Sequence, residues 1–287
     1  MPDPSSPTTT SARFPTTPSA RPPKVARWRW WIQLVLIAAY PVAIGLVSIE
    51  ASQETLPALS SSAGSLLWSC TITMGVFAAV MAIAWAASRA TRDDLRLRWR
   101  GGFWPLPMGI GYSIALRLGL AVIAIVAGLA LYLFHGMSPD DLQTFVQENR
   151  PNVEAIVDVS SLEDDPVYFW LMVTFVSFVV AGLREELWRS AFLAGTRAIW
   201  PRFFGSRLGE FTAVLLAAIV FGLGHLPQGP VAATMAGMLG VGLGIIMVCH
   251  RSIWPAVIAH GCFDATSFAL IPLAMDLLHK AQPAIGQ

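Results

Sequence analysis

The chain has 287 residues, 55% of them hydrophobic and 13% charged, with a mean hydropathy of +0.58. Soluble domains carry roughly 25% charged residues, so this composition excludes an ordinary soluble globule and points to a polytopic membrane protein. The formal net charge of +1 lacks the clustered basic face that nucleic acid requires, and the three dispersed cysteines, Cys70, Cys249 and Cys262, support neither a disulfide framework nor a thiolate metal site.

Residues 1–27 hold seven prolines, many Ser and Thr and almost no apolar residues, the composition of a disordered tail. The first apolar run begins near Trp30. It is too long for a signal h-region and has no small-residue cleavage pattern, so it is expected to be an uncleaved first span of a membrane domain over 28–280. A span needs about 20 mostly apolar residues. Candidates lie at 30–49, 64–88, 118–134, 166–183, 211–225, 229–249 and 253–275. The segment 103–117, broken by Pro105 and Pro107 and closed by Arg117, fits an interfacial helix or the start of a longer third span.

Basic residues alternate with acidic ones along the connections. Arg13, Arg21, Lys24, Arg27 and Arg29 precede the first span, whereas Glu50 and Glu54 follow it. Arg89, Arg92, Arg96, Arg98 and Arg100 come next, and then an acidic stretch, 138–165, with Asp140, Asp141, Glu148, Glu154, Asp158, Glu163, Asp164 and Asp165 against Arg150 alone. Arg197, Arg202 and Arg207 follow the fourth span. The positive-inside rule then places the N-terminus in the cytoplasm and the acidic loop on the far side. That loop is long enough for a short surface helix, with no specific chemistry visible.

Three polar clusters interrupt the apolar sequence of the second half: Arg184, Glu185, Glu186 and Arg189 in "GLREELWRS", His225 in "FGLGH", and His260 with Asp264 in "AHGCFD". On helices, the i, i+4 spacing puts Glu185 with Arg189, Phe221 with His225, and His260 with Asp264. Taken singly, the Glu–Arg pair is an ordinary salt bridge at a helix end and His225 an interfacial histidine before the "LPQGP" turn. His260 and Asp264 lie deep in an apolar run, where ionisable groups must be offset by partners. Together the clusters supply a carboxylate to take a proton from water, two imidazoles to hold a metal or polarise a carbonyl, and an Asp to orient a His. No GxSxG, HExxH or Walker loop is present. Hydrolysis by activated water is the leading inference.

"REELWRSAFLAG", "FGLGH" and "SIWPAVIAHGCFD", in this order, resemble the EExxxR, FxxxH and Hxxx(N/D) motifs of the CAAX-protease and bacteriocin-processing family (CPBP, or Abi), which includes the Ras-converting type of prenyl-protein endopeptidase. The resemblance covers about residues 175–270. It implies an all-α, polytopic bundle of about seven to eight helices around an intramembrane polar cavity. It also implies a metallopeptidase-type activity on a membrane-associated or lipidated protein or peptide, in a multi-pass protein of a bacterial plasma membrane. By the family's pattern Glu185, Glu186 and His225 activate water while His260 and Asp264 stabilise the oxyanion, and a divalent metal such as zinc, held by His225 and His260, is an open requirement. The first motif departs from the pattern, because Arg189 follows Glu186 by three residues where the family has four. One register aligns Glu185 and Glu186 with the family's pair; the other, favoured for geometry, aligns "LWRS" and pairs Glu185 with Arg189. Glu185 occupies a family Glu position in both and is the primary candidate base. For these motifs to meet, the helix after 166 must run on through Ala194. Two other readings stay open: a catalytically inactive scaffold or bacteriocin-immunity-type factor, and a proton-coupled carrier.

Overall fold

The computed structural model describes residues 25–52, 61–153 and 157–281. Residues 1–24 of the expected tail, and Glu54 and Glu154 of the expected loops, lie outside the described residues. Ten helices and no strand occur among the described residues: α1 Arg27–Ser52, α2 Ala63–Ser88, α3 Pro105–His135, α4 Pro139–Glu148, α5 Val159–Asp164, α6 Pro166–Ile199, α7 Pro201–Phe204, α8 Arg207–Leu223, α9 Pro230–His250 and α10 Trp254–Ala281. Seven are long and three (α4, α5 and α7) are short, which is the expected all-α bundle.

Five of the long helices, α2, α3, α6, α9 and the Trp254–Leu273 part of α10, are long and apolar enough to cross a membrane. The other two expected spans, 30–49 and 211–225, fall on α1 and α8, which are not among the five. With 17 residues, α8 reaches only about 26 Å, short of the roughly 30 Å hydrocarbon layer. The third span does not start at 118. Pro105 and Pro107 occupy the first turn of α3, where proline is tolerated, so the segment 103–117 forms the beginning of one 31-residue helix. The fourth span does not stop at 183 either, since α6 continues through Ala194 to Ile199.

Within α6, residues Met172–Leu183 form a π-helix, flanked by α-helical turns at Pro166–Leu171 and Arg184–Ile199. The acidic loop supplies helix caps. Asp158 accepts from Ser161 N at 2.9 Å, Asp165 from Val167 N at 2.8 Å, and Ser138 and Asp141 form a capping box at the start of α4. The Ser138 hydrogen bonds hold the Asp141 carboxyl below its usual range.

At the opposite end the connections are tied to one another. Arg27 donates to Ile199 O, and Arg29 Nε to Ala87 O at 2.5 Å. The α2–α3 connection is stitched to α6 by Ser190 Oγ donating to Leu95 O at 2.6 Å, and to α10 by Trp254 Nε1 donating to Leu97 O at 2.9 Å. Arg96, buried in this connection, pairs with Glu210 of α8 at 2.7 Å. Burial, with Arg197 alongside, pulls its guanidinium down to about 10 against the opposing pull of Glu210, so it stays charged at neutral pH.

Inside an apolar solvent, helices associate by close packing rather than by hydrophobic burial, and small residues permit the closest approach. The π segment of α6 lies along α10, and α8 lies along α9. At the first contact, a Cβ on Gly182 would stand 2.9 Å from Val257 O; at the second, a Cβ on Gly222 would stand 2.7 Å from Ala233 O. Gly182 therefore sets the distance between the two helices that carry the charged motifs. Gly182→Val should force them apart and destabilise the protein by about 1–3 kcal/mol. Thermal unfolding of the purified protein in detergent micelles should show a lowered midpoint, and an unchanged midpoint would contradict this packing.

Candidate active site

The first α-helical turn after the π segment carries Arg184, Glu185 and Glu186, and Arg189 follows one turn later. Opposite them, α10 presents His260 and Asp264 on one face, as their i, i+4 spacing requires. Phe221 lies in the last turn of α8, and His225 follows it at the turn into Leu226–Gln228.

Glu186 is fully buried and its Oε1 accepts from Arg189 Nη1 and from His260 Nδ1, the latter at 3.2 Å. An ionised carboxylate only accepts, so the Nδ1 of His260 carries a proton. The other ring nitrogen, Nε2, stands 3.7 Å from Glu185 Oε2 and 3.6 Å from Asp264 Oδ2. His260 thus lies between three carboxylates, itself 2% exposed. Glu185 is 20% exposed, and its Oε1 accepts from Arg184 Nη2 at 2.9 Å.

Phe221 joins the second histidine motif to the rest. Its ring lies under the Arg189 guanidinium at 5.2 Å, 4.6 Å from the His225 ring and 5.9 Å, edge-on, from the His260 ring. A cation over an aromatic face contributes about 2 kcal/mol when desolvated, which gives the motif's Phe a physical role. His225 Nδ1 donates to Phe221 O at 2.8 Å, because a carbonyl can only accept. In the neutral ring this leaves Nε2 with its lone pair free to act as an acceptor.

Glu185 and His225 line one cavity of about 140 Å³, together with Arg184, Trp188 and Tyr40. Helix α1 forms the wall that holds Tyr40. Pro41 has no N–H, so the α1 hydrogen bond to Ile37 O cannot form. Trp188 Nε1 donates to that freed carbonyl at 2.8 Å, pinning α1 to α6 just past Glu186. Gln33 Nε2 adds a second buried clamp on Ala191 O at 2.9 Å.

All five expected catalytic residues therefore gather in one region: Glu185, Glu186, His260 and Asp264 directly, and His225 through Phe221 and the shared cavity. The expected Glu185–Arg189 pair does not form. Arg189 binds Glu186 at i, i+3, and Glu185 instead binds its neighbour Arg184. Tyr40 is a cavity residue outside the motifs, Arg184 and Trp188 lie within "REELWR" without an expected catalytic role, and Pro41 within an apolar helix is the sequence signal for the freed carbonyl. The expected metal pair His225 and His260 gains no third ligand, since no group of three His, Cys, Asp or Glu side chains among the described residues could hold a metal ion. His260 is instead engaged by carboxylates on both ring nitrogens. As it stands, the donor set suits proton transfer.

Residues 166–266 match the family model described as type II CAAX prenyl endopeptidase Rce1-like. The matched segment contains all three motifs, and with the five apolar helices it makes the chain an integral, multi-pass membrane protein. No curated protein and no solved structure matches the chain.

Removing one partner of a buried ion pair leaves an uncompensated charge and costs about 3–5 kcal/mol. Arg189→Met should accordingly destabilise the protein by about that amount, and Glu186→Gln in the same chain should recover part of it by removing the orphaned charge. Thermal unfolding of the two variants in micelles checks this; equal midpoints for Arg189→Met and the wild type would contradict the pair.

Proposed function

We propose that this chain, with its Rce1-like segment, is an intramembrane endopeptidase that hydrolyses a peptide bond near the C-terminus of a lipidated, CAAX-type protein or peptide. The observation that carries this reading is that Glu185 and His225 line one cavity within an apolar bundle, with His260 3.7 Å from Glu185 and Asp264 3.6 Å from His260. Water held between two acceptors gives up a proton to Glu185 as its oxygen bonds to the scissile carbonyl carbon. The same proton then passes to the leaving amine as the C–N bond breaks. Arg184 balances the Glu185 charge, and Glu186 fixes the His260 ring, whose Nε2 lies 3.7 Å from the second Glu185 oxygen.

Glu185 is the base in preference to Glu186 because it is the carboxylate that lines the cavity. Glu186 is fully buried and bonded to Arg189 and His260. Its part is to orient the imidazole. The Arg-rich end of the bundle, tied together by Arg27, Arg29 and Arg96, lies in the cytoplasm of a bacterial cell with the N-terminus, and the capped acidic loop lies outside.

With a prenylated CAAX peptide in vesicles, Glu185→Gln should lower kcat by about 10²–10⁴-fold, the usual contribution of a general base. His260→Ala should abolish cleavage while the protein remains folded. Full activity in both variants would sink the assignment. A biological role that survives loss of both His225 and His260 would favour an inactive scaffold instead.

A further inference from the structure

Arg117 is the one arginine, lysine or acidic residue of α3, and it lies inside a helix apolar enough to cross the membrane. A guanidinium in such a place costs free energy to insert and persists where partners offset it, so its partners point to its role. Its hydrogen-bond partners among the described residues lie on α10, on both sides of Asp264 in the chain. Arg117 Nη2 donates to Phe263 O at 2.7 Å, to Thr266 Oγ1 at 2.6 Å and to Ser267 Oγ at 3.2 Å. The guanidinium also lies over the Phe263 ring at 4.3 Å. The two hydroxyls can accept because each gives its own proton to a carbonyl one turn back. Thr266 donates to Cys262 O at 2.7 Å, and Ser267 to Phe263 O at 2.9 Å. Within "FDATS", α10 thus offers three oxygens to a cation, and α3 supplies the cation. About two turns earlier on α3, a Cβ on Gly109 would stand 2.5 Å from the Ile258 side chain, so the same two helices are already in close contact there.

Asp264 stands 3.6 Å from His260 Nε2, and Glu185 stands 3.7 Å from the same nitrogen. The groups acting on Asp264 are His260 on its own helix, Glu185 of α6, His225 at the turn after α8, and Arg117 of α3. Glu185 repels it, and either histidine can lose its proton. Arg117 is the permanent cation of the four. Glu185 has Arg184 as its counter-ion, and Arg117 fills that place for Asp264. Arg117 lies outside residues 166–266, so no motif of that segment assigns it a role.

We propose that Arg117 is a positioning residue for the reaction: from α3 it clasps the part of α10 around Asp264 and serves as counter-ion to that carboxylate, so that Asp264 and Glu185 both keep their places beside His260. This rests on the peptidase reading above. Arg117 does not line the cavity and touches no reacting atom. Its effect reaches the chemistry through Asp264.

The test uses the full-length protein in vesicles with a prenylated CAAX peptide. Arg117→Met should lower kcat about 10–100-fold, the scale of a misplaced site group, while KM changes less than about threefold. Arg117→Lys keeps the charge and should recover most of that loss. Because the effect runs through Asp264, the double variant Arg117→Met with Asp264→Asn should be no slower than Asp264→Asn alone, whereas independent sites would multiply their losses. Cleavage by Arg117→Met within about twofold of wild type, with Glu185→Gln inactive, would overturn the role of Arg117 and leave the peptidase reading intact. Losses that multiply in the double variant, or Arg117→Lys no faster than Arg117→Met, would overturn that role as well. A folded wild-type protein that cleaves no such peptide would overturn both.

Discussion

Burying Glu186 among apolar helices costs several kcal/mol unless its charge is met. Arg189 meets it from one turn along the same helix, and the same carboxylate oxygen then takes the ring proton of His260. This pair fixes which face of α6 turns toward α10. It also brings the Arg189 guanidinium over Phe221, which draws the end of α8, and hence His225, to the same place. Gly182 permits the approach by leaving room for Val257 O. Without the ion pair, the helices could still pack through their small residues, but nothing would determine which charged side chains met. One buried carboxylate thus organises three helices, and the adjacent carboxylate, left facing the cavity, is free for chemistry.

The charges of the region also balance. Arg184 and Arg189 are bonded to Glu185 and Glu186, and the Arg117 charge reaches Asp264 while its guanidinium donates to Phe263 O at 2.7 Å and Thr266 Oγ1 at 2.6 Å on α10. Three guanidinium groups thus offset three carboxylates in the region. A membrane interior tolerates ionisable groups in such mutually compensated sets and penalises isolated ones. Balance supplied by neighbours on three helices lets Glu185 remain partly exposed to a cavity without an excess of charge around it.

The fold class, the helix-bearing segments and the gathering of five site residues were legible in the sequence, because apolar run length and intramembrane polar residues are strong signals. The pairing of Arg189 was not. Spacing rules treat a helix as isolated and rank i, i+3 and i, i+4 alike; which partner wins depends on which side is buried, and here α10 decides in favour of Glu186. The continuity of α6 followed from the need for the motifs to meet, but its π geometry carries no local signature in "MVTFVSFVVAGL". Pro105 and Pro107 looked like a break, although at a first turn they are compatible with a helix. Tyr40 had no signal of its own, since its significance depends on Trp188 far along the chain.

The hydrogen bond from Trp188 to the carbonyl freed by Pro41 has a consequence for how separable the parts of this protein are. The candidate base Glu185, the two histidine motifs and the Glu186–Arg189 ion pair all lie in one stretch of chain, yet a wall of their chamber comes from a helix about 150 residues earlier. Transplanting residues 166–266 into another helical scaffold would carry over the charged motifs and leave the indole N–H without its acceptor and the chamber open on one side. The reactive groups are modular, whereas the compartment in which they work belongs to the whole bundle. A chimera would therefore have to include the α1 segment around Tyr40 and Pro41 to reproduce the site.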